Sequence, residues 1–419
     1  MKKLSAKEEL GILPLKEREA LKDKWLDIRL SRLIPELMAK HKVDMWIMGG
    51  REYNEDPLLE TFFPSSIDSS RRLTLIVFSL QKGKEAERLV IHQNPEFKPF
   101  YHPVWNIQNE DQWQCLERII KERNPERIAL NVSGTHAVCD GLSHSLFEKI
   151  RHYIHEAGSP EIVSAEAIAV EWLETRLSEE LETYGEIAEM TRRIAAESFT
   201  AIIPGITSTR DAVDWIRQRV LDLGLKTSFY PTVDVQRKGS MNSRMSDTII
   251  REGDIVHLDF GIHYLGFSTD TQLLAYAASE GIVPRELQGL MEKANRLEDI
   301  IGEQFILGRT GNQIFEHSLE QAKKEGLQAM IYSHPLGYQC HGAGPIIGLY
   351  DQQGPVPIRG EYPLRDHTCF ALEFNLTQFI EGWGQDVIMY MEESAAFMNG
   401  KLTYLTRRQK EFYLIPGKF

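Results

Sequence analysis

The sequence predicts an α/β domain followed by an α+β domain. Three observations carry that reading. Across the first 165 residues, short apolar strands alternate with helical stretches, the pattern of helices layered on a sheet. The last 90 residues are mainly strand-like and contain a two-residue hairpin signal at Asn399-Gly400. At 419 residues the chain is too long for one small core, so two domains are the natural division.

Residues from about 15 to 41 carry a helical apolar rhythm in Leu21, Trp25, Ile28, Leu33 and Leu37, and a strand follows from Val43 to Met48. Leu73–Phe78, Arg88–His92 and Arg127–Val132 are further strands, with helical stretches around 111–123 and 141–156. The polar stretch from Arg51 to Asp56 reads as a solvated loop. Gly158-Ser159-Pro160 breaks the pattern and places a boundary near 160–172. Ser178 then opens a long helix with Leu181, Tyr184, Ile187, Ile194 and Phe199 on one side, stopped by Pro204-Gly205. Ser208 to Asp211 has the spacing of a capping box with Asp in place of Glu, before a helix carrying Val213, Ile216, Val220 and Leu223. Helices over about 284–305 and 311–325 precede the strands Cys369–Phe379 and Asp386–Phe397.

Composition narrows the function. Hydrophobic content of 42% and charged content of 26% are those of an ordinary globular protein. A net charge of −13 argues against nucleic acid or an anionic membrane as partner. No run is long and apolar enough to span a bilayer, and the amino terminus lacks the apolar core of a signal peptide. Cys115, Cys139, Cys340 and Cys369 show no CxxC spacing, which points to reduced thiols in a cytoplasm.

The stretch Val256–Gln272 reads as a β-hairpin. With its turn centred on Tyr264-Leu265, Asp259 and Asp270 face each other directly, and like charges so placed are destabilising unless something positive lies between them. The alternative is two loop-end aspartates solvated separately. Glu373 and Glu392 repeat the theme, each inside an apolar strand where an unpaired carboxylate is costly. Four such carboxylates on strands of one sheet fit a site for divalent cations with oxygen ligands, and two ions there would activate water and polarise a carbonyl.

The segments 178–275 and 366–397 resemble the catalytic domain of the pita-bread metallopeptidases: prolidase, aminopeptidase P, methionine aminopeptidase and their relative creatinase. The likeness lies in Ile203-Pro204-Gly205-Ile206-Thr207, Glu252-Gly253-Asp254, Asp259-x-Gly261, Gly266, Asp270, Glu373 and Glu392. The first domain is similar to the amino-terminal domain of prolidase and creatinase. The resemblance implies an α/β amino-terminal domain over 1–165, plus an α+β pita-bread catalytic domain of the creatinase/aminopeptidase type over 170–419. It also implies Asp259, Asp270, Glu373 and Glu392 as ligands of divalent metal, two sites filled by Mn, Co or Zn. A homodimer and cleavage of small peptides beside proline complete what it implies.

The histidines depart from that pattern, in which HGxGH is followed by a small apolar run and a further His. Here the stretch is His341-Gly342-Ala343-Gly344-Pro345, running on to Gln352. Aligned on His341, Pro345 stands at the metal-binding histidine and Gln352 at the later catalytic one, while Asn242 replaces a substrate-side histidine upstream. The expectation is a site of reduced histidine content, with His341 as ligand or acid/base and His334, Asn242 and Gln352 as substrate contacts. His257 and His263 flank Asp259 as supporting residues.

Three functions remain at this level. The first is a metal-dependent hydrolase resembling Xaa-Pro aminopeptidases and prolidases, acting through a carboxylate-rich dinuclear site of reduced histidine content, with weak or no turnover of ordinary Xaa-Pro peptides. The second is a creatinase-like hydrolase or lyase of small molecules, because a fold does not fix an activity. The third is an inactive binding module, against which the retention of all four carboxylates argues.

Overall fold

The computed structural model describes residues 5–81, 85–240, 244–278 and 280–415. The chain divides into two compact units, one formed by Leu13–Leu173 and the other by Glu174 onward together with the segment through Ile12.

The first unit opens with helix α1 (Leu15–Ile28), which passes through a π-helical turn at Arg29–Leu33 into α2 (Ile34–His41). Pro35, just inside α2, has no N–H to give the preceding turn, and its ring displaces the carbonyl four residues back; one wide turn accommodates both. A six-stranded sheet follows among the described residues: β1 (Met45–Arg51), β2 (Leu73–Ser79), β3 (Glu87–Ile91), β4 (His102–Pro103), β5 (Arg127–Leu130) and β6 (Glu161–Ser164). Its order is β4-β3-β2-β1-β5-β6, with β1, β5 and β6 parallel. Parallel neighbours need crossovers, which α3 (Gln112–Arg123) and α4 (His144–Ala157) supply, burying Leu116, Ile119, Ile120, Leu146 and Ile150 in the core. Helix α5 (Glu166–Glu174) closes the unit.

The second unit begins with α6 (Ser178–Thr200) and α7 (Thr209–Asp222); Ser208 and Asp211 form the expected capping box. Lys226–Thr227 (β7) joins β10 (Ile262–Tyr264) and β11 (Phe267–Ser268) in a small sheet. The large sheet runs β13-β15-β16-β12-β9-β8, from β8 (Thr232–Gln236), β9 (Ile255–Phe260), β12 (Thr271–Ala277), β13 (Gln328–Ile331), β15 (Thr368–Ile380) and β16 (Gln385–Met398). Beside it, β14 (His334–Leu336) pairs with β15, β17 (Lys401–Tyr404) with β16, and β18 (Tyr413–Ile415) with β12. Helices α8 (Arg285–Glu303) and α9 (Gly311–Lys324) cover one face.

Period-two alternation gives the sheet its two characters. Phe370, Leu372, Phe374 and Leu376 of β15 pack into the core with Leu287, Leu290, Met291 and Leu297 of α8. Burial of such a side chain stabilises by about 1.5–3 kcal/mol. Ala371, Glu373 and Asn375 therefore fall on the opposite face. Asn399 and Gly400, both at positive φ, form the expected two-residue turn joining Met398 to its partner Lys401. Among the described residues no helix is long and apolar enough to cross a membrane, and the four cysteines are free and buried.

The hairpin forms, with a corrected register. Asp259 lies opposite Gln272, and Tyr264 opposite Phe267, so the turn is centred on Leu265-Gly266, one residue later than expected. The cause is local: Leu265 and Gly266 have φ of 55° and 87°, the paired left-handed conformations of a tight hairpin turn, and glycine takes its position there at no steric cost. Halfway along, Gly261 permits the Thr269 carbonyl to approach to 2.0 Å from where a Cβ would stand, and the ladder breaks there. Asp259 and Asp270 are thus diagonal neighbours on one face instead of a direct pair.

Candidate metal centre

One row of side chains crosses four strands. Asp259 on β9 pairs with Gln272 on β12, Gln272 with Glu392 on β16, and Glu392 with Glu373 on β15. Asp270 joins from the position just before β12. His334 enters from β14, where it pairs with Ala371, two residues before Glu373. The expected carboxylates are therefore brought together, on the face opposite the α8 core.

His334 is the imidazole that meets them. Its Nε2 lies 3.7 Å from Asp270 Oδ2, 3.7 Å from Glu373 Oε2 and 3.8 Å from Glu392 Oε1. Its Nδ1 lies 3.2 Å from the Pro335 carbonyl, an acceptor, so Nδ1 carries the hydrogen and Nε2 turns a lone pair toward three carboxylates. The His341 ring stands 4.5 Å from that of His334, centroid to centroid.

Two imidazoles thus stand beside the carboxylates, where the sequence expectation left the position at Pro345 empty. The interval from Pro345 to Gln352 is seven residues, and so is that from His334 to His341. The structure seats the second pair beside the carboxylates because β14 is hydrogen-bonded to the strand that carries Glu373. Pro345 is buried in the segment before Ile347, whose N–H bonds the Ser333 carbonyl. Gln352 is exposed in a turn, its N–H bonded to the Leu349 carbonyl. Asn242 lies outside the described residues. His257 bonds Asp234 and Gln272, and His263 bonds Ser268.

The electrostatics call for a cation. Burial and the neighbouring carboxylates hold Asp270, Glu373 and Glu392 well above the ordinary carboxylate range, and burial pushes Asp259 up to about 6. Burial first, then His341, pushes His334 down to about 3, which keeps its lone pair free. Burial and then the Arg359 guanidinium lower His341 as well. Asp270 Oδ1, His334 Nε2 and both Glu392 oxygens have no hydrogen-bond partner among the described residues. Buried groups of this kind are ordinarily satisfied, and a divalent ion is the partner that suits lone pairs on oxygen and imidazole together. Three overlapping sets have ligand atoms within 4.8 Å of one another: Asp270, His334 and His341; His334, Glu373 and Glu392; and Asp259, Asp270 and Glu392.

Sequence reasoning missed several neighbours. Cys340 Sγ donates to Asp270 Oδ2 at 2.9 Å, and Gln272 Nε2 to Glu373 Oε1 at 2.5 Å. Arg359 is half-buried and near enough for its charge to lower both His334 and His341, and its Nε has no partner among the described residues. For Gln272 a signal existed: it follows Asp270 by two, hence shares its face. Arg359 comes from a loop with no periodicity to read.

Carboxylates and imidazoles on the strands of one sheet, in a unit that follows an α/β domain in the sequence, define a two-domain metallohydrolase of pita-bread fold. Residues 182–394 match the model of metallopeptidase family M24, and the chain belongs to that family. Its enzymes use divalent metals, and this protein is a peptidase-like hydrolase. The methionine aminopeptidase of Pyrococcus abyssi is 24% identical over 244 residues, covering 55% of this chain and 77% of that one. Among solved structures, the X-Pro aminopeptidase of Thermotoga maritima superposes with a TM-score of 0.66 at 16% identity, over 90% of this chain and 99% of its own. The Xaa-Pro dipeptidase of Bacillus anthracis gives 0.61 at 14% identity, over 95% and 99%.

Proposed function

We propose that the protein is a metal-dependent exopeptidase with a dinuclear centre, acting on short peptides that carry a free carboxylate. One observation carries the reading: the lone pair of His334 Nε2 is aimed at three carboxylates, of which Glu392 has no hydrogen-bond partner on either oxygen and Asp270 none on Oδ1 among the described residues. His334, Glu373 and Glu392 would hold one ion, and Asp259, Asp270 and Glu392 the second, with Glu392 common to both. Divalent ions there would supply the positive charge that polarises a scissile carbonyl and activates water.

The remaining work falls to the chain's own groups. His341, the more exposed of the two imidazoles, would pass a proton at a ring nitrogen to the departing amine, a contribution of typically ~10²–10⁴-fold. Arg359, a cation without an acidic partner at Nε, would anchor the substrate carboxylate. Likeness to the X-Pro aminopeptidase and the Xaa-Pro dipeptidase extends over both units, whereas the methionine aminopeptidase matches just over half the chain, so Xaa-Pro substrates come first. A creatinase-like action on a small amidic acid is the second reading, since Arg359 would hold that carboxylate equally well. A homodimer in a reducing cytoplasm, which fits the four free thiols, belongs to the same proposal.

The test is elemental analysis of purified protein, then steady-state turnover of Xaa-Pro dipeptides, Met-initiated peptides and amidic acids with added Mn, Co or Zn. Metal retention and turnover that collapses in His341→Ala support the reading. Protein that holds no divalent ion and hydrolyses none of the three classes ends it.

A further inference from the structure

A chain of hydrogen bonds, buried at its middle links, runs beside the centre across four strands. Arg244 places two N–H groups on Asp234 Oδ2, from Nε at 2.8 Å and from Nη2 at 2.6 Å. The same oxygen lies 3.1 Å from His257 Nδ1, and His257 Nε2 lies 2.9 Å from Gln272 Oε1. Gln272 Nε2 then donates to Glu373 Oε1 at 2.5 Å. Asp234, His257 and Gln272 are all buried. Strand pairing sets their spacing, since Asp234 lies opposite His257 on β8 and β9, and Gln272 lies opposite both Asp259 and Glu392. Tyr390, two residues before Glu392, closes the network: its ring is 4.9 Å from that of His257, and the Arg244 guanidinium lies 5.0 Å from it.

The polarity of this chain is set from its two ends. A carboxylate only accepts, so Asp234 takes an N–H from His257 Nδ1 and Glu373 takes one from the Gln272 NH₂. An amide has one donating and one accepting end, so the Gln272 oxygen faces His257 Nε2, and both ring nitrogens of His257 donate. Oε1 of Glu373 is thereby occupied, and Oε2 is the oxygen that faces His334 at 3.7 Å. Without the amide, the Glu373 carboxylate would be free to rotate about its last side-chain bond and offer either oxygen.

We propose that Gln272, oriented by His257 and Asp234, is a positioning residue that commits Glu373 to presenting Oε2 to the metal. The inference rests on the metal-binding reading above and adds to it residues outside the ligand set. Loss of partners that orient metal ligands typically weakens metal affinity by ~10–100-fold. Gln272 and His257 act through the same link, so breaking the link twice should cost no more than breaking it once.

The experiment measures Mn and Zn affinity of the full chain by competition with a chelating dye. It compares wild type, Gln272→Met, His257→Leu and the double variant, with each melting temperature in EDTA as the folding control. The expected result is a loss of ~10–100-fold in each single variant, with the double variant no weaker than the worse of the two. His257→Gln, which keeps a donor toward Gln272, should recover part of the loss; it also serves if His257→Leu does not fold. If Gln272→Met binds as tightly as wild type, or the two losses multiply, the positioning role is overturned while metal binding stands. Wild-type protein that binds neither ion would instead overturn the metal reading, and this inference with it.

Discussion

Glu373 and Glu392 stand directly opposite one another on neighbouring strands, the least favourable arrangement for two carboxylates in the absence of a cation. Relieving it should therefore have opposite effects with and without metal. In EDTA, Glu373→Gln is expected to melt at or above the wild-type temperature, because its amide oxygen can still accept from Gln272 while the like charge is gone. With Mn present, wild type should gain stability and the variant little. A variant several kcal/mol less stable in EDTA would instead mark Glu373 as half of a buried ion pair.

Metal removal is the companion measurement. A ligand bound only to the folded state stabilises by about 2.7 kcal/mol at a hundredfold excess over Kd. Chelation should lower the melting temperature of the second unit, and Mn, Co or Zn should restore it. Unchanged calorimetric traces with and without ion would contradict the centre as described.

His334 and Pro345 give a paired test. His334→Ala removes the imidazole whose Nε2 lies within 3.8 Å of all three carboxylates, and metal affinity should fall at least ~10-fold, with activity falling alongside. Pro345→His should improve neither quantity if, as proposed, His334 on β14 supplies that ligand. A gain of metal or turnover in Pro345→His would return the vacancy to Pro345.

Arg359 makes a prediction about substrate form. Arg359→Ala should raise KM for dipeptides with a free carboxylate by ~10–100-fold, the scale of a charge-assisted hydrogen bond. Their amides should be affected little. Equal losses on both would remove the carboxylate anchor.

Away from the centre, Asp56 gives a pH test in the first unit. Its carboxyl accepts from Asn131 Nδ2 at 2.5 Å and Leu58 N at 2.9 Å, and burial pushes it up to about 6. A folded-state value above the unfolded one means that the stability this group contributes is full below the unfolded value, roughly 4, and is lost as pH rises through 6. The loss amounts to about 3 kcal/mol. Asp56→Asn keeps a good capping residue and does not titrate, so denaturant unfolding from pH 4.5 to 7 should show wild type weakening relative to the variant. Parallel curves would contradict the shift.

Much of the molecule was legible from periodicity. The long helix from Ser178, the capping box at Ser208 and the paired strands carrying Glu373 and Glu392 all follow from apolar spacing and local caps, which depend on nearby residues alone. What the sequence concealed depended on position within a turn or on distant pairing. A centre at Leu265-Gly266 required two adjacent residues at positive φ, and a leucine does not announce that. The alignment on His341 followed the likeness of His341-Gly342-Ala343-Gly344 to the start of a known pattern. The deciding fact, that β14 lies against β15, is a contact between residues far apart in sequence. Gln272, Asp234 and Arg359 carry no motif, and only side-chain geometry gives them a role.

The turn at Leu265-Gly266 makes the hairpin a ruler with no slack. Ten residues separate Asp259 from Asp270, and the register on both arms is fixed by that one two-residue bend. Inserting or deleting a single residue between them would swap the faces of every side chain beyond it, sending Asp270 and Gln272 toward the apolar core and Leu273 toward the carboxylates. Loops such as the one around Gln352 can change length across generations with small effect. This interval cannot, and a descendant of this chain that altered it by one would inherit the strand and lose the chemistry.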